Sequence, residues 1–206
     1  MIKNIVFDMG QVLIRFDTDV FMDRIGVAAE DKPLLRREVF QSVEWSRMDR
    51  GSLTDEEAAA IIRARVPERL GDAVYKLVTF WDRPILEIPG MYELVEELKA
   101  NGYGIYLLSN ASLRQHEYWP RIPCSRFFDG TLISSDVKLV KPQPEIFLLL
   151  CMQFGLRAEE CFFVDDATLN CEAAHLVGMT PAVFHGDADE IRQKLIAAGV
   201  NVKAPG

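Results

Sequence analysis

Val6-Phe7-Asp8-Met9-Gly10-Gln11-Val12-Leu13 sets a single carboxylate where an apolar run gives way to a glycine turn. Ile2 to Phe7 is mostly apolar, the composition of a strand covered on both faces of a sheet. A carboxylate following such a strand emerges at the carboxyl edge of the sheet, where ligands of open α/β sheets collect. Asp and Gly are also ordinary turn residues, so the octet by itself fits a turn cap as well as a nucleophile.

Downstream of this strand, residues from about Arg15 to about Glu87 read as helical and contain no good strand candidate. Helices are expected near Asp17 to Ile25, Pro33 to Gln41 and Asp72 to Trp81. Thr54-Asp55-Glu56-Glu57 carries the capping-box pattern ahead of Ala58 to Ala64, and Asp49-Arg50-Gly51-Ser52 breaks the helices before it. From Ile88-Pro89-Gly90 onward helices and strands alternate. Met91 to Ala100 is an amphipathic helix closed by Asn101-Gly102, and Ile105 to Leu108 is a short strand running into Ser109-Asn110. Thr131 to Ser134, Cys161 to Val164 and Pro181 to Phe184 are further strand candidates. Pro144 suits the first position of a helix that ends at Phe154 before Gly155, and helices are expected at about Leu169 to Val177 and Asp189 to Ala198. The pattern is an α/β core interrupted by a helical insertion. The tail from Val200 to Gly206 is expected to be loosely held.

The chain has 206 residues, 49% of them apolar and 26% charged, enough for one sizeable core plus an insertion. No stretch approaches the roughly 18 apolar residues of a membrane span, and no signal peptide is recognisable, which together lead to an expectation of a cytoplasmic protein. The net charge of -8 argues against nucleic acid as a partner, because phosphate backbones are held by surplus Lys and Arg. An anionic small substrate would therefore need local compensation from a few cations and a bound metal. Cys124, Cys151, Cys161 and Cys171 form no C-x-x-C pair and read as reduced, mostly buried small hydrophobes. His116, His175 and His185 lack zinc-site spacing. The sequence carries no signal for an oligomeric state.

Four polar signals fall at or just after the apolar strands: Asp8, Ser109-Asn110, Lys141-Pro142 and Asp165-Asp166. Neighbouring ends of a parallel sheet lie side by side, so residues a hundred positions apart converge. Each signal alone has an ordinary reading as a turn or a solvated charge; adjacent aspartates ending a buried strand are costly without a cation. Together they form the set that phosphoryl transfer needs. Asp8 would attack phosphorus and become an aspartyl phosphate. Mg2+ would be held by Asp8, Asp166 and the carbonyl of Gly10, while Lys141 and Ser109, with neighbouring backbone N–H groups, would hold phosphate oxygens.

At these residues the chain resembles the haloacid dehalogenase-like hydrolase superfamily. Its motifs match Phe7-Asp8 to Leu13, Leu107-Leu108-Ser109-Asn110, Lys141-Pro142 and Phe163-Val164-Asp165-Asp166, with supporting likeness at Phe127-Phe128-Asp129-Gly130 and Glu172-Ala173-Ala174. The resemblance implies a three-layer Rossmann-like α/β core, with a five-stranded parallel sheet in the order 5-4-1-2-3. On that reading the core comprises residues 1–14 and 87–206 and the inserted helical cap residues 15–86. It also implies Mg2+ on Asp8, Gly10 and Asp166 with Asp165 nearby, catalytic roles for Asp8, Ser109 and Lys141, and phosphate binding by Ser109, Asn110 and Lys141. The substrate would be a small phosphorylated metabolite. The Asp-x-Gly form of the first motif, with Arg50-Gly51 and Trp119-Pro120, is similar to bacterial alpha-glucose-1-phosphate phosphatases and directs attention to sugar phosphates.

Most phosphatases of this superfamily carry a second aspartate two positions after the nucleophile, which protonates the leaving group and later activates water. Here that position is Gly10, and Lys138 is a second departure, where relatives often have glycine. A positioned general acid or base contributes about 10^2 to 10^4 in rate. Three readings follow: a slow phosphatase, one whose cap or water supplies the proton, or one whose leaving group hardly needs it. Two further alternatives are a metal-independent 2-haloacid dehalogenase, which also lacks the second aspartate, and an impaired binding or regulatory protein. The paired Asp165-Asp166 weighs against the dehalogenase, because expelling halide gains little from a divalent ion. Arg15, Trp45, Arg47, Arg50 and His116 are unassigned candidates for substrate contact.

Overall fold

A computed structural model describes residues 1–204. Its centre is β1 (Asn4–Phe7), whose Ile5, Val6 and Phe7 are fully buried, as a strand covered by helices on both faces requires. A helical segment follows: α1 (Thr18–Arg24), α2 (Lys32–Leu35), α3 (Val43–Asp49), α4 (Asp55–Arg63) and α5 (Gly71–Thr79). After it come α6 (Met91–Ala100), β2 (Gly104–Ser109), α7 (Gln115–Tyr118), β3 (Gly130–Ile133), α8 (Ser134–Val137) and α9 (Pro144–Phe154). The chain closes with β4 (Cys161–Asp165), α10 (Thr168–Leu176), β5 (Thr180–Val183) and α11 (Ala188–Ala197). The five strands are all parallel in the order β3-β2-β1-β4-β5, the expected order read from the other edge.

Local sequence explains most element ends. Asp17 caps α1 by accepting from the N–H groups of Asp19 (3.0 Å) and Val20 (3.1 Å). Thr54 and Glu57 complete the capping box of α4 in both directions. Gly155, at φ +66°, ends α9 in the left-handed conformation that only glycine adopts at little cost. The helix expected from Pro33 to Gln41 is instead α2 running into a π-helical turn, Arg36–Phe40, before Ser42 caps α3.

The tail differs from expectation. Val200 and Val202 are buried, the Asn201 N–H donates to the Tyr103 hydroxyl (2.7 Å), and the Lys203 N–H donates to Glu97 (2.6 Å). Residues 200–203, pinned by apolar burial and backbone hydrogen bonds, are not loose. Gly206, the last residue of that expectation, lies outside the described residues.

One hydrophobic cluster runs without a break from the helical segment into the face of the sheet. It includes Phe21, Met22, Leu35, Ile62 and Leu77 together with Ile5, Phe7, Leu94 and Ile105. A second cluster, with Val6, Leu108, Phe147 and Phe163, fills the opposite face. The helical insertion is therefore packed onto the sheet by its own apolar surface. No helix is long and apolar enough to cross a membrane.

Candidate active site

Strand register brings the distant motifs together. Phe7 pairs with Leu107 on one side and Val164 on the other, so Asp8, Ser109-Asn110 and Asp165-Asp166 all emerge at one edge. Lys141 reaches the same place from the loop before α9. Its ammonium donates to Asp8 (2.7 Å) and Asp165 (2.6 Å), with the lysine and Asp165 side chains almost wholly shielded from water. Oxygens of Asp8, Asp165 and Asp166 lie within 4.8 Å of one another. Three carboxylates thus face one ammonium.

That imbalance shapes the protonation of the group. Burial pushes the Asp8 carboxyl up, Lys141 pulls against it, and Asp165 adds to the rise. Burial opposes the Lys141 charge, but the two carboxylates more than offset it and hold the ammonium above the ordinary lysine value. Asp166, which is exposed, is also raised, first by partial desolvation and then by Asp165. An added cation would relieve Asp8 and Asp166.

The donor set fits a hard dication. Asp165 is saturated: besides Lys141 it accepts from the Ala167 N–H (2.8 Å) and from the Asn170 amide (2.9 and 3.1 Å). Asp8 is bonded at only one oxygen, Asp166 is unengaged, and among the described residues no donor engages the Gly10 carbonyl. Two carboxylates and a carbonyl are the ligand types Mg2+ selects.

Asn110 turns its side chain to the lysine loop. Its side-chain oxygen accepts from the Lys141 N–H (2.8 Å) and its amide donates to the Lys141 carbonyl (2.9 Å). The side chain is committed to holding the lysine loop, because a planar amide pairs with a peptide unit in both directions. The backbone N–H of Asn110 and the hydroxyl of Ser109 make no hydrogen bond among the described residues.

Above Asp8 lies a cavity of about 210 Å³. Asp8, Gly10, Asn110 and Lys141 form its floor, and Phe16, Trp45, Met48, Trp81 and Tyr118 form much of its wall. The wall aromatics are a contiguous set, with ring centroids 5.7 Å apart for Phe16–Trp45, 5.0 Å for Phe16–Trp81 and 5.1 Å for Trp81–Tyr118. Two further carboxylates, Asp49 and Asp55, also line it, and Lys141 is the only cation among the described lining residues.

Of the unassigned sequence candidates, Trp45 alone lines this cavity. Arg15 lies in a separate groove beside Asp166, and His116 pairs with Asp136 (3.0 Å) at the surface. Reading the sequence alone leaves Asp49, Asp55 and Asn170 unassigned. The only available signal was the acidic residue ahead of the Arg50-Gly51 break. Lys138 acquires a local explanation: it closes α8 at φ +61°, and its ammonium binds the carbonyls of Gly51 and Ser135.

The profile of the family described as haloacid dehalogenase-like hydrolase matches residues 2–178. The chain belongs to that hydrolase family. Among curated relatives of this hydrolase is D-ribitol-5-phosphate phosphatase of Bacteroides thetaiotaomicron, 26% identical over 195 residues that cover 86% of this chain and 89% of the relative. Another is the chloroplast flavin mononucleotide hydrolase 1 of Arabidopsis thaliana, 28% identical over 118 residues, 57% of this chain. The hydrolase matches 48% of that protein's length. Among solved structures, a HAD family enzyme of Bacteroides thetaiotaomicron in complex with magnesium and inorganic phosphate superposes with a TM-score of 0.68. It is 26% identical, and the alignment covers 93% of this chain and 99% of the other.

Proposed function

We propose that this hydrolase is a Mg2+-dependent phosphomonoesterase that acts through an aspartyl phosphate on Asp8. The observation that carries the reading is the excess of carboxylate over ammonium at the floor of the cavity, where Asp8 keeps one oxygen free. Asp8, Asp166 and the Gly10 carbonyl would hold the ion. Bound there, Mg2+ neutralises the phosphoryl oxygens so that an anionic nucleophile can approach them. Asp8 attacks phosphorus, Lys141 neutralises charge on the transferring group, and the Ser109 hydroxyl with the Asn110 N–H holds the remaining oxygens. Asp165 positions Lys141, and Asn170 positions Asp165. The phosphatase relative and the neighbour solved with magnesium and phosphate support the same reading.

The substrate class follows from the wall. Aromatic faces with two carboxylates and no second cation suit an uncharged organic group that offers an apolar face and hydroxyls, as a sugar or polyol phosphate does. A leaving group bearing a second phosphate or a carboxylate would meet Asp49 and Asp55 unpaired. In this reading residues 1–14 and 87–206 are the catalytic core, residues 15–86 the cap that closes over it, and the four free cysteines suit a reducing cytoplasm.

The test is phosphate release from a panel of phosphorylated metabolites with and without Mg2+, for the native chain and Asp8→Asn. Metal-dependent release that vanishes in the variant is expected. Full retention of turnover by Asp8→Asn overturns the nucleophile, and chloride release from 2-chloropropionate in the presence of chelator would establish the dehalogenase instead.

A further inference from the structure

We propose that Asp49, supplied by the helical insertion, is the general acid and base of this active site and takes over the work of the side chain that Gly10 lacks. The inference rests on the phosphomonoesterase reading and extends it to the proton.

Asp49 lines the same cavity as Asp8, and among the described residues no cation or hydrogen-bond donor engages its carboxylate. It is the last residue of α3, so its carboxyl faces the negative end of a helix dipole, which favours the protonated form. Asp55, the other wall carboxylate, is placed oppositely. It opens α4 at the positive helix end, and its oxygens accept from the Ser112 hydroxyl (3.0 and 3.4 Å). Burial, then Asp55, then Asp8 push the Asp49 carboxyl up to about 7, whereas Ser112 and Arg114 restrain the rise at Asp55. The charged and titratable groups around Asp49 are therefore Asp55 from α4, Asp8 just after β1, Lys141 on the floor and the Tyr118 phenol from α7.

The backbone that carries this carboxylate is anchored by the core. The Ser134 hydroxyl donates to the Asp49 carbonyl (2.5 Å) while accepting from the Ala111 N–H (3.0 Å), which ties the loop after β2 to the end of α3 through one oxygen. Two residues on, Gly51 sits at φ +67° against Ser135, where a Cβ would clash, and Lys138 bonds its carbonyl. Lys138 thus acts as a strap that fixes the Asp49-Arg50-Gly51 corner over the sheet edge. A general acid requires this placement, since proton transfer fails when the donor wanders.

In the first half-reaction Asp8 forms a bond to phosphorus, the bond from phosphorus to the leaving oxygen breaks, and the Asp49 proton passes to that oxygen to give the free alcohol. In the second, the Asp49 carboxylate takes a proton from water as the water oxygen bonds to phosphorus. The bond from phosphorus to Asp8 breaks, inorganic phosphate leaves, and both aspartates return to their starting states.

The experiment compares Asp49→Asn with the native chain on a simple alkyl phosphate and on p-nitrophenyl phosphate, in Mg2+. The readout is kcat/KM, which reports events up to departure of the alcohol. Loss of a general acid should lower it about 100-fold for the alkyl ester and only about 3-fold for the aryl ester, whose leaving group needs little protonation. A Cβ at Gly10 meets nothing within 4 Å and its backbone is not left-handed, so Gly10→Asp is accommodated. Adding it to Asp49→Asn should recover at least about 10-fold of the alkyl rate. Equal losses on both esters, or no loss on either, would overturn the role of Asp49 while leaving the phosphatase intact. A native chain that hydrolyses neither these esters nor any of the panel would overturn the underlying reading itself.

Discussion

The floor and the wall of the cavity are built on opposite principles. At the floor the buried charges are paired and only the exposed Asp166 is not: Lys141 bridges Asp8 and Asp165, Asn170 fixes Asp165, and Asn110 fixes the lysine loop. At the wall, aromatic rings surround Asp49, which has none, and Asp55, which has only a serine. The difference teaches that the floor is organised to hold charge still and the wall to let a proton move. A saturated carboxylate cannot change its protonation cheaply, whereas an unpaired one in an apolar setting can.

Substitutions at the floor should therefore damage the reaction of every ester alike, and substitutions at the wall should damage it selectively. Asp8→Asn is expected to lower turnover by about 10^4-fold or more on all substrates, read as phosphate release, because no other group can accept the phosphoryl group. Lys141→Met should cost about 10^2 to 10^3 in kcat/KM with the same indifference to leaving group. A Lys141→Met loss that varied with the leaving group would break the contrast drawn here. Chelation of divalent metal should abolish release, and Mg2+ should restore it.

Smaller effects sharpen the wall. Trp45→Ala removes an aromatic face worth about 0.5 to 1.5 kcal/mol and should raise KM by about 3- to 10-fold with kcat little changed, in steady-state kinetics on the best substrate of the panel. The smallest effect concerns stability. The Asp49 carboxyl is held near 7, above its ordinary 3.8, so between those values the native chain binds more protons than the unfolded one. Its stabilising protonation is complete below 3.8 and is lost as pH rises through about 7. Thermal melts without metal should show Asp49→Asn gaining on the native chain at pH 8 relative to pH 5. A gain at pH 5 instead would contradict the shift.

The floor was legible because each of its residues follows a strand or sits in a loop marked by proline or glycine. Asp8, Ser109-Asn110, Lys141-Pro142 and Asp165-Asp166 are short signals in fixed order, and a parallel sheet converts that order into proximity. The strands were expected within about two residues of where they lie, an ordinary uncertainty for element ends. Asn170 was not legible, because it sits on α10 and reaches Asp165 only through helical geometry. The pairing of the Asn110 side chain was not legible because its partner is a peptide unit 31 residues away.

Alternation of apolar runs and turns in the sequence determined the α/β class, the strand set and the place of the Asp8 carboxylate at a strand end, since these depend on periodicity and on what a strand end exposes. The same octet that names Asp8 also shows that Gly10 has no side chain to move a proton. Only the tertiary structure decided what stands opposite that gap. Asp49 reads in sequence as a residue before a helix break, and it becomes a cavity carboxylate because Ser134 and Lys138, from the far side of β3, hold its corner over the sheet. Protonation of a carboxylate is fixed by burial and neighbouring charge, and both are properties of packing rather than of the local chain.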